Sequence, residues 1–176
     1  MLRDFCVWME ALPSSVALRE SLNAYPILLT SHVIGMCAFA GLIMMMDLRL
    51  AGVGNRHSSI TQVQARLLPW QMVGFGLSVV TGLLLFYGQP MRFYPNFYFW
   101  IKNILLVLAG LNMWYFHATT YQTVEQWNHD PRPPRAARVA GVVSLAAWGG
   151  VIVVGRMIAY PGLVPQWWLD LGLEGG

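Results

Sequence analysis

Four stretches of the chain are almost continuously apolar, and they are too long for the strands or core helices of a small soluble domain. They run from about Tyr25 to Met46, Trp70 to Tyr87, Phe97 to His117 and Val139 to Tyr160. At 1.5 Å per residue each covers most or all of the roughly 30 Å of hydrocarbon in a bilayer. The pattern predicts an all-α, polytopic membrane protein: a four-transmembrane-helix bundle in one membrane domain, residues 1–176, with interfacial tails at 1–14 and 161–176. Breaker residues support the boundaries. Pro69 suits the first turn of the second span, where its missing N–H costs nothing. Tyr94-Pro95-Asn96 leads into the third, and Pro161-Gly162 ends the fourth. Pro13-Ser14-Ser15 before VALRESLNA reads as a serine-capped helix start that carries the first span outward. DFCVWMEAL near the N-terminus is amphipathic and fits a helix lying flat on the surface. Trp167 and Trp168 read as interfacial anchors.

Composition sharpens this picture. Hydrophobic residues make up 56% and charged residues 11% of the chain, against about 25% charged in ordinary soluble domains. The surplus of apolar surface needs a lipid bilayer as its partner. The net charge of +3 does not point to nucleic acid, because the basic residues (ten arginines and one lysine) sit in short loops or near helix ends. Arg49, Arg56, Arg66, Arg132, Arg135 and Arg138 lie on one side of the spans, and Arg3, Arg19 and Arg92 on the other. That excess predicts both termini outside and the two longer loops in the cytoplasm. Cys6 and Cys37 form neither a CxxC nor a zinc-finger spacing. The first fifteen residues lack the apolar run of a cleavable signal peptide, so the first span is expected to target the chain.

Small residues mark packing faces where lipid removes the hydrophobic drive between helices. Gly74, Ser78 and Gly82 recur every four residues in the second span. Gly141, Ser144, Gly149, Gly150 and Gly155 populate the fourth. A compact bundle accounts for nearly all of them, and a dimer face is the other use.

Ionisable groups inside a span are costly and point to function. His32, Lys102, His117 and Arg156 qualify. His32 shares a helix face with Gly35, and His117 shares one with Gly110. A neutral imidazole nitrogen beside a glycine is what an axial haem ligand requires, the glycine leaving room for the flat macrocycle. His32 and Met36 also fit a soft copper(I) pair. The alternative for each histidine is a hydrogen bond to another helix or to water. Depth arithmetic separates the two by about 20 Å, so they predict two metal or haem sites, one per leaflet. Second ligands then come from His57 or His129 at the inner site and from Met157 or a partner chain at the outer one. Lys102 and Arg156 are placed to meet haem propionates or a quinone oxygen. Snorkelling to water is the plainer reading of Lys102, and Arg156 is expected to have a fixed anionic partner, with Glu20 suggested.

The chain resembles a family of small four-helix inner-membrane proteins of bacteria to which no activity is assigned. The resemblance rests on His32-x-x-Gly35, Asp47-Leu48-Arg49-Leu50, Pro69-Trp70, Thr81-Gly82, Asn96 to Lys102, Asn112 with Phe116-His117, and Gly155-Arg156 with Ala159-Tyr160. It spans about residues 20 to 160. It implies a bacterial inner-membrane location and directs attention to His32, Asp47, Arg49, His117 and Arg156. His57 and His129 fall outside its motifs.

Together these features predict a cytochrome-b-like, haem b-binding subunit. It would move electrons between quinone or a periplasmic carrier and a partner, as a homo-oligomer or beside another membrane subunit. The rival expectation is a non-catalytic structural or assembly subunit, in which the same polar groups only join helices. A transporter needs a polar path that spans two and four do not offer beyond Ser78, Thr81 and Ser144. No nucleophile–base pair or phosphate loop supports a hydrolase or kinase.

Overall fold

The computed structural model describes residues 1–170; the part of the expected interfacial tail at 171–176 lies outside the described residues. Two short helices, α1 (Leu2–Glu10) and α2 (Pro13–Glu20), precede the long α3 (Ala24–Leu50) and α4 (Ile60–Gly88). One helical turn, α5 (Pro90–Phe93), leads into α6 (Phe97–Ala118). A 3₁₀ turn and α7 (Val124–Trp127) connect to α8 (Arg135–Met157), and α9 (Gln166–Asp170) follows. No strand occurs among the described residues. Four helices are long and apolar enough to cross a membrane. The protein is an all-α, multi-pass membrane protein.

Local chemistry explains where the helices stop. The αL glycine Gly52, at φ +75°, closes α3. The Ala51, Gly52 and Val53 amides return to the Asp47, Arg49 and Leu48 carbonyls, which satisfies the orphan acceptors of a helix C-terminus. Ser59 caps α4 by accepting from the Gln62 amide at 3.2 Å. Asn96 caps α6 through the amides of Tyr98 and Phe99.

Two expectations are corrected at these ends. Pro69 lies inside α4 rather than in its first turn, because nine residues upstream already form capped helix. Ser14 and Ser15 do not cap α2, which begins at Pro13 with no side-chain cap. Ser15 Oγ instead donates to the Tyr87 carbonyl at 2.9 Å, and Ser14 bonds the Tyr87 hydroxyl. They fasten the N-terminal segment to the end of α4. α2 is also separate from α3, the chain breaking at residues 21–23.

The long helices pack in the order α4–α3–α8–α6. Small residues set the approaches. Gly74 faces Phe39, and the Gly82 backbone lies against the His32 ring. Gly150 and Gly155 let α8 close on Leu105 and Lys102 of α6. The tightest approach is at Gly141, where a Cβ would lie 2.8 Å from the Asp47 carbonyl oxygen. Phe39, Ala40, Ala109, Ala147, Trp148 and Val151 form the central core. Phe39 and Trp148 meet edge to face at 5.0 Å, a geometry worth about 1 kcal/mol beyond burial.

Candidate functional site

The half of the bundle that holds the start of α3 and the end of α4 brings His32 of α3 against α4. Its Nδ1 lies 3.1 Å from the Ser78 carbonyl and 3.0 Å from Thr81 Oγ1. A carbonyl only accepts, and the Thr81 hydroxyl donates to the Leu77 carbonyl at 2.6 Å. The hydrogen-bond network therefore assigns the proton of the neutral ring to Nδ1 and leaves Nε2 as a lone pair. This is how a ligating histidine is held by its second shell. Gly82 lies under the ring, a Cβ there falling 3.0 Å from Cε1.

Lys102 enters from α6. Its stem runs beside Gly155 of α8. The ammonium has neither a hydrogen bond nor an ion pair among the described residues. The side chain is half-buried, with its stem packed toward α8. His32 is half-buried as well. The two residues lie in the same half of the bundle, on helices that are not adjacent in the packing order.

Other expected site residues lie elsewhere. Gly35 does not open a space beside His32. It is buried against α4, where a Cβ would meet Ser78 Oγ at 3.0 Å and Leu77 Cγ at 3.1 Å. Its seam opens outward into an apolar cleft of about 520 Å³ lined by Ile34, Cys37, Gly41, Trp70 and Val73 among others. Arg156 is exposed and has no acidic partner among the described residues. It donates to the Tyr160 hydroxyl at 2.9 Å and lies over the same ring. Glu20 is exposed and takes part in no ion pair among the described residues. His117 donates from Nδ1 to the Met113 carbonyl of its own helix at 2.9 Å and stacks near Phe116 and Tyr121. Gly110 has nothing within 4 Å of its would-be Cβ, so this face of α6 looks out of the bundle.

No group of three or more His, Cys, Asp or Glu side chains converges among the described residues. Within one chain the arrangement offers a single uncommitted imidazole nitrogen, His32 Nε2. It does not supply both axial ligands.

At the opposite end, Arg49 is fully buried and ties two connections together. Its Nε donates to the Ser58 carbonyl at 2.9 Å and Nη2 to the Asp130 carbonyl at 3.1 Å. Asp47 is buried where α3 meets Gly141 of α8. Gln71 donates to the Leu42 carbonyl at 3.2 Å and Asn112 to the Ala140 carbonyl at 3.0 Å. The sequence signal for these ties was the Asp-Leu-Arg-Leu motif and Asn112, although their targets are backbone groups that no pattern announces.

Comparison with protein-family models, curated proteins and solved structures finds no match.

Proposed function

We propose that the protein is an electron-transferring membrane subunit whose working groups are His32 and Lys102. It acts in the outer half of a bacterial inner membrane, with both termini outside. One observation carries the reading: the His32 ring is held with Nδ1 donating to α4, which leaves Nε2 uncommitted, and Lys102, in the same half of the bundle, has no acceptor among the described residues. A charge inside a span is costly unless something compensates it. An electron-rich oxygen brought by a ligand, from a quinone carbonyl or a haem propionate, provides that compensation. Haem b would take His32 as one axial ligand and Lys102 at a propionate, and when bound it supplies reversible one-electron chemistry. The remaining axial ligand then belongs to a second copy of the chain or to a partner membrane subunit. The chain's own contribution is to hold the His32 tautomer through Ser78 and Thr81 and to keep a cation at the site.

A second reading, a structural or assembly subunit, is favoured by the bonds of Arg49, Gln71 and Asn112, which close helix seams and loops without building a cavity. Absorption spectra of the detergent-purified protein, air-oxidised and dithionite-reduced, distinguish the two when combined with quinone extraction. The redox reading expects a Soret band with a sharp reduced α-band that His32→Ala removes, or bound quinone that Lys102→Met removes. A featureless spectrum and a quinone-free extract, from cells with ample haem, refute it and leave the assembly role.

A further inference from the structure

The arginine-rich end of the bundle holds a small pocket between the last turns of α3 and the first turns of α4. Its volume is about 210 Å³. One side of the lining is apolar, from Met45, Val63 and Leu67. The other is polar, from Asn55, Gln62 and Arg66. Gln62 and Val63 stand one helical turn before Arg66 and Leu67, so α4 presents both characters on one face.

Depth places the pocket at a membrane boundary. Trp70 is exposed, at 66%, and interfacial tryptophans mark headgroup level. Arg66 lies one turn beyond it, about 6 Å further from the bilayer centre. The polar groups are uncommitted donors. The Arg66 guanidinium and the Gln62 side chain have no partner among the described residues. Asn55 Oδ1 accepts from Ser58 Oγ at 2.9 Å, which leaves the amide nitrogen to donate elsewhere. No carboxylate lines the pocket.

We infer that this pocket binds the phosphodiester headgroup of an anionic phospholipid. Arg66 pairs with the phosphate, while the Gln62 and Asn55 amides donate to its ester and glycerol oxygens. Met45, Val63 and Leu67 cover the first methylenes of the acyl chains. Free phosphate lacks the chains that the apolar half covers. The inference is independent of the His32–Lys102 reading, from which it is separated by most of the length of α4.

Native mass spectrometry of the detergent-solubilised protein tests it, with phosphatidylglycerol, phosphatidylcholine or inorganic phosphate added. Phosphatidylglycerol is expected to be retained in preference to phosphatidylcholine, and Arg66→Ala to weaken that retention roughly tenfold, as the loss of one charge-assisted hydrogen bond does. Arg132→Ala removes an exposed arginine at the same end and is expected to retain the lipid as the native protein does. Equal losses in both variants, no preference between the two lipids, or displacement by inorganic phosphate overturns the assignment. Because Arg66 is exposed and unpartnered, its variant keeps the fold, and the unfolding midpoint checks this.

Discussion

Substituting Gly141 measures how much of the bundle depends on the α3–α8 seam. A Cβ at this position would lie 2.8 Å from the Asp47 carbonyl oxygen, 3.0 Å from Leu50 Cβ and 3.2 Å from the Ala51 amide nitrogen, all inside the 3.4 Å at which ordinary contact begins. Two of the three atoms are backbone, and the Asp47 carbonyl already accepts from Ala51 at 2.7 Å. Neither can swing aside as a side-chain tip would, so α8 must shift bodily. Overpacking of this kind costs about 1–3 kcal/mol. Replacing glycine by alanine inside a helix returns about 0.5–1 kcal/mol. Gly141→Ala is therefore expected to lose about 1–2 kcal/mol. Gly149→Ala is the matched control on the same helix, since nothing lies within 4 Å of its Cβ position, and it should lose nothing. Equilibrium unfolding in mixed detergent, followed by circular dichroism, gives both values. Coincident unfolding curves for the two variants would refute the packing argument.

Two further outcomes follow from single side chains. Lys102→Met should raise the unfolding midpoint, by about 1 kcal/mol for a charge near the end of a span, because the native lysine has no acceptor; a lower midpoint would mean that it has one. Burial pushes the Cys6 thiol above its ordinary range, with the Glu10 charge adding to the effect. Its thiolate is then scarce in the folded protein, and labelling by a charged maleimide at mildly alkaline pH should be much slower than in the unfolded chain. The docking of α1 weakens as pH rises from the ordinary thiol range to the raised value, and labelling at the rate of a free cysteine would contradict this.

Hydropathy located the four spans but not their full helices. The third matches within a residue, Phe97–Ala118 against an expected 97–117, because Asn96 caps its start where the apolar run begins. The second helix starts ten residues before its apolar run, since ITQVQARLL is polar enough to end a hydropathy window and helical enough to continue the helix. Helix propensity and membrane depth are different quantities, and only the second is read by apolar runs. The polar positions were legible as a group but not in their connections. His32 stood out as ionisable; that Thr81, Ser78 and Gly82 receive it depends on the rotation of α4 about its axis. Gly35 was read as space and proves to be contact, because a glycine at a helix crossing and a glycine beside a cofactor have the same sequence. Arg156 was expected to meet an acid on another helix and instead meets Tyr160, one turn on along its own chain, because only the facing helix decides which partner a cation near a span end can reach.

The packing order also bears on how the chain assembles. α3 and α4 complete their mutual contacts when synthesis reaches Gly88, and α6 and α8 complete theirs at Met157. Each pair is an antiparallel hairpin whose contacts are near in sequence, and between the two hairpins the long helices join chiefly along α3 and α8. Biogenesis thus divides into two insertion events and one lateral docking in the plane of the membrane. The first hairpin waits in lipid with its α8-facing surface, Ala40, Asp47 and Leu50, uncovered until the second arrives. That interval is when a membrane chaperone, or the hairpin of another copy, can compete for the same face.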